Sequence, residues 1–253
     1  MDPSEMWGTG DYKAVADRIA SAGETVVERA GIEPGMDVLD VACGTGNATV
    51  PAAKLAARVT GLDFAPDLLE IAREHGADSM VEVDWIEGDA QDLPFEDDSF
   101  DRVISCFGHM FAPDHKRTAD ELRRVCRPEG RITIACWTPH GKIGEMFRRI
   151  GAISPPPPDG FHPPTLWGDE EHVRELLGEG VEFERHQVEW SGESVEGYAD
   201  FMENSFGPLI DAREQLGDLV HETYLGYLND VNEADDGTLR FRGEYLVSVA
   251  PPG

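Results

Sequence analysis

Apolar and polar positions follow two different rhythms along the first half of the chain. Short, nearly continuous apolar runs, typical of buried parallel strands, alternate with stretches that have apolar residues every three or four positions, which indicate amphipathic helices. The apolar runs predict five strands, at residues 37–42, 58–63, 81–86, 101–106 and 131–137. The alternation of strand and helix predicts an α/β fold with a mostly parallel sheet wound on both sides.

The helical stretches of this half have recognisable starts and ends. The spacing predicts helices over residues 11–30 and 46–57, a third that begins at Ala65, and a fourth that ends before Pro128. Proline and glycine lie at these boundaries, because proline is favoured in the first turn of a helix and both residues are disfavoured in its interior. Each predicted helix is therefore bounded by local chemistry as well as by its apolar face.

The pattern changes after residue 138. Residues 141–153 predict a short helix, the four prolines 155–158 an extended segment, and a further helix begins near Asp169. Residues 181–190 and 239–249 predict a final antiparallel pair of strands. The segment 194–230 between them predicts helices with an aromatic-rich face, which we interpret as the core of a lid: Tyr198, Phe201, Phe206, Leu209, Leu216, Tyr224 and Tyr227.

Composition excludes some function classes. The chain has 253 residues, with 50 acidic and 21 basic side chains and a net charge of −29. Such a field repels phosphate backbones, which disfavours nucleic-acid substrates. The same field would attract a cationic substrate, although a solubility adaptation is the interpretation that we favour; whether it reflects a salt-rich cytoplasm stays open.

Other features predict a cytoplasmic protein. No apolar run approaches the roughly 20 residues that a membrane span needs, and the first residues lack the basic and apolar segments of a secretory signal. The four cysteines fall in or beside predicted core elements, which indicates reduced thiols. No His, Cys or carboxylate grouping has metal-ligand spacing, so we predict no metal. Homodimer formation is left open.

The most informative motif is VLDVACGTGNATV at residues 38–50, an apolar run that ends at Gly44 and Gly46. Asp63 ends the next apolar run. A buried strand that stops at a glycine turn leaves backbone groups free to meet a ligand, and an acidic residue at the tip of the next strand suits a ribose with two hydroxyls. Together they predict a cofactor that contains a nucleoside.

A dinucleotide is the first alternative for that cofactor. The dinucleotide turn has the pattern G-x-G-x-x-G, and here Thr49 occupies the third glycine position. Without that glycine the close approach of helix to pyrophosphate loses support. An NAD-binding oxidoreductase is therefore the less favoured interpretation.

Four pieces of sequence between residues 37 and 137 carry a resemblance: DVACGTGNAT, GLDFAPDLLEIAR, GDAQDLPFEDDSFDRVIS and ELRRVCRPEGRITIACW. In this order and spacing they resemble the class I S-adenosylmethionine-dependent methyltransferases, in particular the group related to ubiquinone and menaquinone methyltransferases. The resemblance implies a Rossmann-like α/β fold with a seven-stranded, mostly parallel sheet, an antiparallel last strand and helical lid insertions. It also implies S-adenosylmethionine as cofactor. Ala42 departs from the glycine usual at the first position of the loop.

A single domain over residues 1–253 follows from this resemblance. We expect an N-terminal helical cap at 1–34, a cofactor-binding core at 35–137, lid insertions at 138–178 and 191–237, and the terminal strand pair. The carboxyl ends of parallel strands hold the ligand in such sheets, and the tips of the first four predicted strands carry the candidate residues.

The resemblance assigns a cofactor site to those tips. It implies that Asp63 holds the ribose hydroxyls, that Phe64 packs on the adenine, and that Asp89 accepts from the adenine amine. A carboxylate at Asp40 would favour the positive charges of the cofactor, and the Tyr12 ring could face the sulfonium. The full expected set is Tyr12, Asp40, Ala42, Cys43, Gly44, Gly46, Asp63, Phe64, Asp89, Ala90, Ser105 and Cys106.

The segment after the fourth strand borders the transferred methyl in related enzymes. His109 is the candidate general base there, and its alternatives are an imidazole that shapes the pocket or caps a helix. The expected acceptor-binding residues are Trp7, His109, Met110, Trp137 and Trp167, with His140, Phe161 and His162 as further candidates.

The leading hypothesis is methyl transfer from S-adenosylmethionine to a small, aromatic or otherwise apolar metabolite by in-line displacement. Which acceptor atom is methylated stays open. The alternative from another class is a regulatory or scaffold protein that binds the cofactor without catalysis.

Overall fold

A seven-stranded sheet organises the molecule. The computed structural model describes residues 2–157 and 160–252. Its strands lie in the order β3-β2-β1-β4-β5-β7-β6. The strands are β1 Asp37–Val41, β2 Arg58–Asp63, β3 Asp84–Glu87, β4 Phe100–Cys106, β5 Cys126–Trp137, β6 Glu182–Gly192 and β7 Leu239–Ala250.

The sheet has the expected mixed direction. Strands β3, β2, β1, β4 and β5 pair in parallel, and β7 runs antiparallel to both β5 and β6. The predicted fold class is confirmed. Because β1 to β4 are parallel, the segments that follow Val41, Asp63, Glu87 and Cys106 all emerge at one edge of the sheet.

Helices cover and extend the sheet. Both α3 and α6 pack on β4 and β5, while α7 packs on β7 and on the last helix of the lid. Two short 3₁₀ helices span His109–Phe111 and Pro164–Gly168. The α-helices are α1 Pro3–Gly8, α2 Tyr12–Arg18, α3 Ala20–Ala30, α4 Thr49–Lys54, α5 Pro66–Asp78, α6 His115–Val125, α7 Lys142–Ile153, α8 Glu170–Leu177, α9 Val195–Ser205, α10 Gly207–Leu216 and α11 Asp218–Val231.

The N-terminal region is more broken than the periodicity predicts. The predicted helix over residues 11–30 is two helices, separated at Ile19, whose φ of −110° and ψ of 10° leave the helical region. A preceding helix, α1, was not predicted; Asp2 caps it by accepting a hydrogen bond from the Ser4 N–H, and Pro3 opens it. Three short helices thus replace one long helix.

Three predicted boundaries also shift, each for a local reason. The third strand begins at Asp84 rather than 81, because the Val81 N–H still donates to the Gly76 carbonyl at the end of α5. The helix predicted over 46–57 shortens to α4 because the glycine turn continues to residue 48. Strand β5 begins five residues early, since Cys126 pairs with Phe100 before a register shift.

The segment predicted as a lid core is helical in the structure. Helices α9, α10 and α11 pack on one another, and most of the predicted aromatic face is buried, including Tyr198, Tyr224 and Tyr227. Residues 155–157 have no regular secondary structure, and Pro158 lies outside the described residues. None of the helices in the described ranges is both long and apolar enough to cross a membrane.

Candidate functional site

The turn after β1 has a backbone that strongly favours glycine. Gly44 and Gly46 have φ of +54° and +85°, and Ala42 also takes a left-handed φ of +53°. A Cβ on Gly44 would meet nothing within 4 Å, so this position faces open space. A Cβ on Gly46 would lie 3.1 Å from the Trp85 ring. Gly44 therefore leaves room for a ligand, whereas Gly46 serves packing.

Asp63 joins the tips of β1 and β2. The Gly44 N–H donates to its Oδ2 at 2.7 Å, and the Ala65 N–H donates to its Oδ1 at 2.9 Å. Burial raises the pKa of this carboxyl, while the backbone donors at Ala65, Gly44 and Phe64 lower it. Each oxygen accepts one of these hydrogen bonds and can accept another. The carboxylate is thus held rigidly with capacity for a pair of hydroxyls.

Asp40 occupies a different environment. It is 1% exposed, and the Thr49 hydroxyl donates to its Oδ2 at 2.6 Å, while Oδ1 has no partner among the described residues. Burial, together with the nearby Asp63, raises its pKa to about 7, although the hydrogen bond from Thr49 lowers it. Asp40 lines none of the three cavities of the site. Its side chain holds α4 against β1 and does not reach the space that a ligand would fill.

Asp89 and Ala90 follow β3 at the same edge. The exposed Asp89 carboxylate accepts from the Gln91 N–H at 2.8 Å, which fixes the turn. Ala90 is buried, and Phe64, at 36% exposure, presents a free ring face. All three side chains line one large cavity.

A small cavity of about 60 Å³ lies over the glycine turn. It brings together residues from four parts of the chain: the N-terminal helices, the β1 turn, the tip of β2 and the tip of β4. The predicted site residues that line it are Trp7, Tyr12, Ala42, Cys43, Gly44, Asp63, Phe64 and Cys106. Burial, helped by Asp63 and Cys106, raises the pKa of Tyr12, so this phenol stays neutral.

A large cavity of about 1010 Å³ continues from the small one. The two share Trp7, Ala42, Phe64, Gly108 and Phe111. One wall is α7 with residues from 154–157 and 161–165, and another is formed by α1 and the start of α10. This cavity therefore runs from the strand tips to the lid.

A third cavity, of about 50 Å³, has a mostly aromatic lining, completed by aliphatic and methionine side chains. Phe107 and Trp137 stack in it with ring centroids 4.0 Å apart. It shares Trp7, Tyr12 and Phe111 with the small cavity. Its other aromatic lining residues are Phe147, Trp190, Tyr198, Phe206, Tyr224 and Phe241. The aromatic lid face thus contributes to a cavity as well as to the core.

Trp7 fixes the place where these cavities meet. Its ring packs edge-on against Phe111 at 4.6 Å, Tyr12 at 5.6 Å and Phe206 at 5.7 Å. A Cβ on Gly207 would lie 1.9 Å from the Met6 carbonyl oxygen, so α1 rests directly on the start of α10. The short α1 is therefore a structural bridge from the strand tips to the lid.

Besides Asp40 and Gly46, four predicted site residues are buried and line none of the three cavities: Ser105, His109, Met110 and Trp167. Ser105 donates to the Val41 carbonyl at 2.6 Å, which ties β4 to β1. The exposed His140 and His162 also line none of these cavities, whereas Phe161 lines the large one.

The position of His109 argues against the predicted general base. It is 0% exposed, its Nδ1 lies 3.0 Å from the Ser105 hydroxyl, and its ring packs edge-on against Trp167. Burial lowers its pKa to about 3. The 3₁₀ turn at 109–111 directs Phe111 to the cavity and His109 to the core. In this arrangement the imidazole borders none of the three cavities, and its role as general base stays a prediction.

Several cavity residues were missed by the sequence analysis. Phe147, Ile150, Gly151 and Ser154 line the large cavity from one face of α7, and Arg148 lies beside them. Their spacing of three and four residues is a signal, although it does not say whether such a face meets core or cavity. Within residues 2–157 and 160–252, no group of three or more His, Cys, Asp or Glu is arranged to hold a metal ion.

Comparison with known proteins identifies the core. A family model described as a methyltransferase domain matches residues 38–130. An uncharacterised protein of Mycobacterium tuberculosis is 42% identical over 218 residues, which is 84% of this chain and 80% of that protein. A demethylmenaquinone methyltransferase of Staphylococcus aureus is 42% identical over 110 residues, covering 42% of this chain and 45% of its own length.

The fold has solved counterparts. A phosphoethanolamine N-methyltransferase of Haemonchus contortus, solved with phosphomonomethylethanolamine and S-adenosylhomocysteine, matches with a TM-score of 0.58 and 17% identity. The match covers 92% of this chain and 53% of that one. At this identity the likeness concerns the fold alone.

Proposed function

Because this chain belongs to the class I S-adenosylmethionine-dependent methyltransferases, we propose that it methylates a small acceptor with an apolar body. The observation that carries the proposal is the continuity of the cavity at the strand tips with the 1010 Å³ cavity under the lid. Ligand sites of this kind are concave and mostly apolar, with a few placed polar groups. Among the described residues that line the three cavities, Arg148 is the one basic side chain, which favours a small molecule over a nucleic acid.

The residues at the strand tips fit the cofactor. Asp63 offers two oriented oxygens to a ribose, and Phe64, Asp89 and Ala90 border the space for an adenine. Gly44 leaves room beside Tyr12 and Cys106 for the methionine part. The cofactor supplies a methyl group on a positively charged sulfur.

The chain's own contribution is orientation and exclusion of water. Trp7, Phe111 and Phe206 close the meeting point of the cavities with apolar rings. An acceptor held against that point would be aligned for in-line displacement, which needs little besides alignment when the leaving group is good. No general base is assigned, since His109 is enclosed.

Two measurements test this function. Calorimetric titration with S-adenosylhomocysteine and with NAD should give binding of the first only. Incubation with methyl-labelled S-adenosylmethionine and a metabolite extract should move label into a small molecule. Cofactor binding without any transfer would support the scaffold alternative, NAD binding alone would refute the family function, and a labelled protein or RNA would refute the small acceptor.

A further inference from the structure

The large cavity contains one feature that methyl transfer to an apolar acceptor does not require. Among the described residues that line it, Arg148 is the one basic side chain, in a lining that is otherwise mostly apolar. It lies on α7 next to Phe147, with Ile150 and Gly151 on the following turn. A Cβ on Gly151 would meet nothing within 4 Å, so the space beside this part of α7 is open.

Arg148 is also unpartnered, in contrast to the cations around it. Lys142 pairs with Glu233 at 2.6 Å, and Arg149 pairs with Asp230 at 2.8 Å and with Glu145. Arg148 has no hydrogen bond or ion pair within residues 2–157 and 160–252. What distinguishes Arg148 from other arginines without a carboxylate partner, such as the exposed Arg73, is its place in the lining of the large cavity.

The acidic residues of the cavity do not compensate this charge. Asp2 caps α1 by accepting from Ser4 at 2.9 Å, and Asp89 accepts from Gln91 at 2.8 Å. Neither forms an ion pair with Arg148. The net charge of −29 has little effect on a ligand at Arg148, because exposed charges more than about 8 Å away are screened at physiological ionic strength. The guanidinium is therefore the one positive charge among the described residues that line this cavity.

We propose that the acceptor is an organic carboxylate: an apolar body fills the large cavity and its single negative charge pairs with Arg148. A guanidinium presents a planar fork of donors that matches a carboxylate in two parallel hydrogen bonds. One cation balances one charge, which favours a carboxylate over a doubly charged phosphate in so acidic a protein. This inference rests on the proposed methyltransferase function and adds the acceptor class to it.

The test uses two probes that differ only in charge, 1-pyrenebutyrate and its primary amide. Both have an apolar ring system with a short arm, and their binding is followed by pyrene fluorescence with saturating S-adenosylhomocysteine present. The wild-type protein should bind the carboxylate about fivefold more tightly than the amide. That preference should shrink as salt is raised, because the contact is partly exposed.

Variants assign the preference to one residue. Arg148→Gln should weaken carboxylate binding about fivefold and change amide binding less than twofold, and Arg148→Lys should restore part of the preference. Arg73→Gln is the matched control, because it removes the same charge from an exposed arginine on α5 that does not line the cavity. It should leave both probes unaffected.

The outcomes separate the two proposals. Any of three results would overturn the carboxylate assignment. Arg148→Gln could weaken both probes equally, or Arg73→Gln could have the same effects as Arg148→Gln. The third result is that neither probe binds to a protein that binds S-adenosylhomocysteine. Failure of the wild-type protein to bind S-adenosylhomocysteine would overturn the methyltransferase function itself.

Discussion

The two ends of the candidate site are built on different principles. At the strand tips, backbone geometry and short side chains do most of the shaping: Gly44 leaves space and Asp63 is held by two backbone donors. Under the lid, large side chains from α1, α7 and α10 form the walls. The first end depends on a few conformations that only certain residues allow, and the second on the packing of distant helices.

This difference predicts different responses to mutation. A change at the strand tips should alter cofactor affinity in a position-specific way, because each residue has one geometric task. A change among the lid side chains should alter acceptor selectivity or stability, because neighbouring rings can repack.

The largest expected effect is at Asp63. Asp63→Ala should weaken binding of S-adenosylhomocysteine by about 1–3 kcal/mol, roughly 10- to 100-fold, since the ribose hydroxyls and the Gly44 N–H lose a partner. Calorimetric titration measures the affinity. Thermal unfolding without ligand provides the control, because the same substitution also loosens the turn. An unchanged affinity would contradict the ribose assignment.

Substitution of His109 tests whether this residue belongs to the core or to the candidate site. His109→Ala should lower the free energy of unfolding by about 2 kcal/mol, because it opens a hole beside Trp167 in the core. Binding of S-adenosylhomocysteine to the folded fraction should not change. Denaturant unfolding and calorimetry together measure both quantities. Full stability with lost turnover would instead restore His109 as a catalytic base.

The strand-tip end could be predicted from sequence because its rules are local. A strand that ends at Gly44, followed by an acidic residue at the next tip, indicates the same task in any parallel sheet. The fold class followed from such patterns, and the family from the resemblance of the motifs that contain them. Two residues of this end stay predictions: Asp40 and Ser105 match the motif by position but line none of the three cavities, and they form hydrogen bonds with Thr49 and the Val41 carbonyl.

The lid end could not be predicted in the same way. Whether Phe147 meets a cavity or the core depends on where α1 and α10 lie, and no short pattern encodes that placement. His109 illustrates the limit, because the single turn at 109–111 decides that Phe111 rather than His109 faces the cavity. The helix α1 was missed because its six residues are too few to show a helical period.

Substitution of Gly44 tests whether the open space over the turn after β1 holds the cofactor. Gly44→Ala should weaken binding of S-adenosylhomocysteine about tenfold, because its new methyl group enters the open space over the turn. Gly35→Ala is the matched control for backbone strain: its φ is +84°, its Cβ would also meet nothing within 4 Å, and it lines none of the three cavities. Both variants should lose about 1 kcal/mol of stability. Equal affinities in the two variants would mean that Gly44 serves the turn alone.

The smallest expected effect concerns a histidine cluster behind the lid wall. His115 is buried, its Nδ1 lies 3.0 Å from His172 Nε2, and its ring packs beside His162 and Trp167. The cluster lies next to the segment 161–165 that lines the large cavity. Burial, together with the neighbouring imidazoles, lowers the pKa of His115 to about 4.

The sign of the pH effect follows from that lowered value. A histidine whose pKa falls from 6.5 to about 4 on folding favours the folded state fully above pH 6.5, and this contribution is lost as the pH drops towards 4. We expect the wild-type protein to lose about 1 kcal/mol more stability between pH 7 and pH 5 than His115→Phe, which keeps a ring in the cluster. Denaturant unfolding at the two pH values measures the difference. Carboxylates titrate equally in both proteins, so parallel pH profiles would show that protonation of His115 is not coupled to the lid wall.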